Sequence, residues 1–117
     1  FVDLPGASTT IVVPRRTRAL VLARFTGESQ CDGGVLGTAC SLRMVIGAGE
    51  GGPSAGLDFA FDTDPAGGGD GAESHAAERA WALRAGTYTV RAQWAVTGAA
   101  TTFTLDDWIF VVERVRR

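Results

Sequence analysis

The sequence predicts an all-β fold, an antiparallel β-sandwich of the jelly-roll kind with about eight short strands. Three observations carry that expectation. The stretch Thr87-Tyr88-Thr89-Val90-Arg91-Ala92-Gln93-Trp94-Ala95-Val96 alternates with a period of two. Tyr88, Val90, Ala92, Trp94 and Val96 therefore share one face, and Thr87, Thr89, Arg91, Gln93 and Ala95 the other. Further β-branched and apolar runs of strand length recur along the chain. The sixteen glycines cluster between these runs and read as turns. A helix would scatter the aromatics around its surface. A strand stacks them on one sheet face, and that face needs a covering layer.

Taken in order, a lead-in ends at Pro5-Gly6. The β-branched run at 9–13 meets Pro14, which marks an edge strand that stops there. A second strand spans 18–26, with Ala19, Val21, Ala23 and Phe25 on one face and Leu20, Leu22 and Arg24 on the other. Both faces are largely apolar, as in a strand buried on both sides or touching a neighbouring chain. Residues 27–38 form a loop. In the third strand, 39–46, Cys40, Leu42, Met44 and Ile46 alternate with Ser41, Arg43 and Val45. After a glycine-rich turn region at 47–56, the fourth strand, 57–62, turns Leu57, Phe59 and Phe61 inward. A Gly- and Asp-rich loop spans 62–73.

The segment 74–83 has helix-forming composition. It is short, however, and runs directly into Arg84-Ala85-Gly86. A strand hairpinned onto 87–96 satisfies both segments. A turn at 98–100, a short strand at 101–105 and a last strand at 108–115 follow. In that last strand Trp108, Phe110 and Val112 face one way and Ile109, Val111 and Val115 the other. The tail at 114–117 is solvated.

The 117 residues suit one domain, 1–117. A net charge of −2 and a pI near 5.3 argue against a nucleic-acid partner. All basic residues are Arg, and Asn is absent, so there is no N-glycosylation acceptor. Codon bias in a GC-rich genome accounts for both. No apolar run reaches the roughly 18 residues of a membrane span, and no signal peptide is visible. The opening on Phe1 rather than Met predicts a trimmed chain or an excised domain. Cys31 and Cys40 bracket a short Gly-rich stretch, which predicts a disulfide and with it an oxidising, extracellular or cell-surface setting.

The series Cys40-Ser41-Leu42-Arg43, Asp58-Phe59-Ala60-Phe61-Asp62, Ser74-His75-Ala76, Gly86-Thr87-Tyr88-Thr89-Val90 and Thr102-Phe103-Thr104-Leu105-Asp106-Asp107-Trp108 resembles a β-sandwich domain of uncharacterised secreted proteins of GC-rich bacteria. The resemblance covers about residues 10–114. That group is similar in architecture to the C1q/TNF-like jelly rolls, which form compact trimers and bind ligands without catalysis. The resemblance implies a homo-oligomeric binding module and transfers no site residues.

The candidate chemistry is sparse. His75 is the only histidine, and Ser74 beside it points to the opposite sheet face, so the two cannot act together. The other serines lack a nucleophile-elbow setting. Asp62, Asp64, Asp70 and Glu73 give the 62–73 loop four carboxylates, enough to consider calcium, although the spacing is not that of an EF-hand. Without a metal, the loop is solvated and makes Asx-turns. Asp106 and Asp107 beside Trp108 are candidate acceptors for a sugar hydroxyl, or else turn and edge residues. Trp81 is the candidate exposed aromatic for stacking on a ligand, or a core or interface residue. Gly67-Gly68-Gly69 lacks the context of a phosphate loop.

The expected function is therefore non-enzymatic: a secreted structural or interaction module that self-associates, as a closed trimer or as a polymer paired through an edge such as 9–13. The alternative is a carbohydrate-binding module with a glycan or cell-surface partner, with or without a structural calcium. No cofactor is expected.

Overall fold

The computed structural model describes residues 1–33, 38–52, 60–64 and 71–116. Six strands make up the chain: β1 (Val2–Asp32), β2 (Thr38–Ile46), β3 (Gly49–Glu50), β4 (Ala60–Asp64), β5 (Glu73–Val96) and β6 (Thr102–Arg116). They form an antiparallel sheet in the order β3-β2-β5-β1-β6, and β4 also pairs with β2. Among the described residues there is no helix, and so none long and apolar enough to cross a membrane.

The expected eight strands become six because three expected breaks lie inside longer continuous strands, while β3 is an additional short strand. The first is at Pro14. Val13 pairs with Gly86, and the next pairing is Arg18 with Arg84. Residues 14–17 thus bulge out of β1 opposite Ala85 alone. Proline has no N–H to give a ladder, so it belongs in such a bulge and need not end the strand. Arg16 takes a left-handed conformation there (φ 60°). Thr17 Oγ1 donates to the Pro14 carbonyl at 2.7 Å and ties off the bulge.

The second correction is the hairpin. Arg84-Ala85-Gly86 is no turn, and 74–83 does not fold back on 87–96. Both segments pair with β1, and β5 runs straight through opposite the β1 bulge. The third lies in β6. Thr26 pairs with Ile109 and Glu28 with Asp106, so Asp107 and Trp108 together oppose Gly27. Asp107 adopts φ 46° to accommodate the extra residue. A Cβ on Gly27 would lie 2.8 Å from Trp108 Cβ, so only glycine fits opposite this bulge. The expected 27–38 loop is also shorter, since β1 continues to Asp32.

The edge expected at 9–13 is real in one respect. Among the described residues that half of β1 pairs only with β5, because β6 joins β1 from Ala19 onward.

Side-chain alternation sorts most residues as the sequence implies, but at the end of β2 Val45 is buried and Ile46, expected inward, is half-buried. Ala19, Val21, Ala23 and Phe25 are buried, whereas Leu20 and Leu22 are half-buried and Arg24 is exposed. Val90 and Ala92 are buried and Tyr88 and Trp94 half-buried, but Val96 is 44% exposed, where the inward face runs out. Phe25 stacks on Trp108 (5.5 Å) and meets Phe61 edge-on (5.7 Å). Phe61 and Trp94 both pack on Phe103. One aromatic chain therefore links β1, β4, β5 and β6. Leu57 and Phe59, expected inward, lie outside the described residues.

Cys31 and Cys40 are fully buried and form a disulfide between β1 and β2, with Cα atoms 5.8 Å apart.

At the start of β1, Gln93 Nε2 donates to Asp3 Oδ1 at 2.8 Å, and Arg91 reaches the other carboxylate oxygen at 3.2 Å. The Gln93 hydrogen bond first, and the Arg91 charge second, hold the Asp3 carboxyl below its ordinary value. Its contribution to stability is thus present above about pH 4, the unfolded value, and is lost as pH falls through the lower folded one. A carboxyl NMR titration is expected to show Asp3 titrating below that range, and Gln93→Ala to move it back up. An Asp3 value that Gln93→Ala leaves unchanged would contradict this contact.

Candidate functional site

The sheet gathers a polar cluster from three distant positions. Gly27 pairs with His75 and Ser29 with Glu73, so β1 and β5 bring Ser29, Glu73 and His75 together, and β4 supplies Asp62. Ser29 Oγ donates to Asp62 Oδ2 at 2.6 Å. A hydroxyl has one proton, so at the 2.7 Å contact His75 Nδ1–H donates to Ser29 Oγ. The Thr63 N–H donates to Asp62 Oδ1 at 2.8 Å. Glu73 Oε2 stands 3.6 Å from His75 Nε2.

These residue types suggest acyl-transfer chemistry, but their order does not fit it. A serine nucleophile passes its proton to histidine, with the acid behind the histidine. Here serine sits between histidine and acid, its proton points at Asp62, and its side chain is 1% exposed. What the cluster does is fasten β4 against β1 and β5, with Phe61 packed edge-on to the His75 ring. Sequence reasoning missed it because its members lie 33 and 46 residues apart. The pairing of β1 with β5 brings Ser29 to His75, and β4, paired with β2, brings Asp62. Ser74 is exposed and pairs with Glu28.

The four carboxylates weighed as calcium ligands are split in role. Asp62 accepts from Ser29 and Thr63, and Asp64, fully buried, accepts from the Gly33 N–H at 3.2 Å. Glu73 is exposed beside His75, and Asp70 lies outside the described residues. Among the described residues no group of three or more His, Cys, Asp or Glu side chains is arranged to hold a metal.

The candidate sugar-binding residues are not brought together. Trp81 pairs with Val21 on the inward face and packs half-buried against the core. Gly51 lies so close that a Cβ there would be 2.8 Å from the indole. Asp106 pairs with Glu28, seven residues along β1 from Val21, or roughly 23 Å at strand rise. Asp106, paired with Glu28, and Asp107, in the bulge beside it, are both exposed, and the Asp107 N–H donates to Asp106 Oδ1 at 2.9 Å.

The most unusual surface is the outward face of β5, β1 and β6. Its rungs place Leu20 between Ala82 and Val115, Leu22 between Ala80 and Glu113, and Thr26 between Ala76 and Ile109. Ile109, Val111 and Val115 are 60%, 38% and 47% exposed. Among the described residues β6 pairs only with β1, so its other edge carries an open row of N–H and C=O groups.

Compared with protein-family models, curated proteins and solved structures, the chain matches none.

Proposed function

We propose that this chain is a non-enzymatic module that self-associates, with its bent β1–β5 ribbon closing as a β-sandwich and its β6 edge pairing with β6 of a second copy. The observation that carries this reading is the open β6 edge with Ile109, Val111 and Val115 exposed beside it. A long open edge with apolar side chains beside it is a ready template for pairing with another strand. Charge selects a second copy in antiparallel register. β6 carries Asp106 and Asp107 toward one end, and at the other Arg114 and Arg116 outnumber Glu113, so an antiparallel copy sets acidic end against basic end. The buried Cys31–Cys40 bridge fits an oxidising, extracellular setting. The carbohydrate-binding alternative is weakened by the separation of Trp81 from Asp106 and Asp107.

Sedimentation velocity at micromolar concentration tests the reading. The wild type is expected as a dimer or larger even-numbered assembly. Ile109→Glu with Val111→Glu is expected to return it to monomer, and Val2→Glu, at an exposed apolar residue on another strand, to leave it assembled. A wild-type monomer, or a closed trimer, would overturn strand pairing through β6.

A further inference from the structure

The bulge at 14–17 builds a second feature that strand pairing, which engages only Arg116 of its arginines, does not explain. Where β1 bends, Arg16 and Arg18 come beside Arg84 of β5 and Arg116 at the end of β6. With Thr17 and Ala85 they line an open cleft of about 790 Å³. Arg18 and Arg84 are directly opposite across the ladder, an arrangement of like charges that weakens a sheet. Among the described residues, none of these four arginines makes an ion pair. On the same ladder the closest acid is Glu113, opposite Leu22 and three rungs from the Ala19–Arg116 pair, or about 10 Å. The backbone at Arg16 is held in the left-handed region, a cost for a residue with a side chain. A chain of net charge −2 thus concentrates four unneutralised guanidinium groups at one bend.

We propose that this cleft binds a compact polyanion carrying phosphate or sulfate groups. Guanidinium groups match tetrahedral oxyanions with paired N–H donors, and an anion between Arg18 and Arg84 turns their repulsion into a shared attraction. Arg84 and Arg116 sit on the two strands flanking β1, Arg84 opposite Arg18 and Arg116 opposite Ala19, and both line the cleft. One small anion cannot satisfy both, and a chain of linked anionic groups can. No aromatic side chain lines the cleft, so the ligand is held by charge rather than by stacking a base or a sugar ring.

The test uses the full chain at low salt, with tripolyphosphate and a sulfated hexasaccharide as separate probes in titration calorimetry. At least one is expected to bind, more weakly as salt rises; which one is tighter identifies the source of the oxyanion. Arg18→Gln with Arg84→Gln is expected to weaken that binding by about tenfold, while the pair melts no earlier than wild type, because a repulsion has been removed. Arg24→Gln with Arg43→Gln removes the same charge from elsewhere and is expected to change binding less than about twofold. Equal losses from the two pairs would overturn a localised site. So would a single-stranded oligonucleotide of equal charge binding tighter than both probes. If wild type ignores both probes while Arg18→Gln with Arg84→Gln abolishes self-association, the cleft is filled by the acidic end of a second copy and the oxyanion site is refuted. Sedimentation on the same samples separates this result from a failure of β6 pairing.

Discussion

Replacing Phe25 with alanine is expected to destabilise the protein by about 3–5 kcal/mol. Phe25 is fully buried and is the point where β1, β4 and β6 meet, stacked on Trp108 and edge-on to Phe61. Truncation removes the contacts on both sides at once. The cavity cannot collapse, because Trp108 is fixed by the bulge opposite Gly27. Phe25→Leu, which keeps much of the volume, is expected to cost less than half as much. Denaturant unfolding gives both values, and near-UV circular dichroism reports the loss of the Trp108 stack. A Phe25→Ala cost below about 1 kcal/mol would mean that the aromatic chain does not hold β1, β4 and β6 together.

Removing the disulfide is the next largest expected effect. The Cys31–Cys40 bridge closes a short loop, with a sequence separation of 9, and the chain-entropy relation gives about 2.7 kcal/mol for a loop of that size. Cys31→Ala with Cys40→Ala is therefore expected to lower the melting temperature by roughly 10 °C. Because both sulfurs are buried, reductant is expected to act on the wild type only once denaturant opens the β1–β2 junction. Rapid appearance of free thiols in the native protein would contradict the burial.

Much of the local structure was legible because period-two alternation is a direct statement about which face a side chain takes. Val21, Phe25, Val90 and Ala92 went inward on that rule alone, and the disulfide followed from two cysteines around a Gly-rich stretch. What was not legible is where a strand bends without ending. Pro14, Arg84-Ala85-Gly86 and Asp106-Asp107 carry the same residue types whether they turn the chain back or only bulge it. The choice is made by the partner strand: Gly27 leaves room for Trp108, and β1 offers both halves of β5 a continuous ladder. Local propensity contains neither fact.

The same gap hid the sites. Ser29 and His75, and likewise Arg18 and Arg84, become neighbours only through the β1–β5 register, while Asp62 arrives on β4 through its pairing with β2. A hairpin at 84–86 would have parted both sets. By contrast, the outward position of Ile109, Val111 and Val115 was readable from alternation, since no long-range pairing is needed to assign it.

The β1–β5 register sets Arg18 opposite Arg84 and brings Ser29 to His75, so it is the feature to measure first. Cross-strand nuclear Overhauser contacts between backbone protons are expected to join Val21 to Trp81 and Ile11 to Tyr88 in one molecule, one pairing on each side of the bulge. Contacts joining 74–83 to 87–96 instead, across a turn at 84–86, would contradict the account.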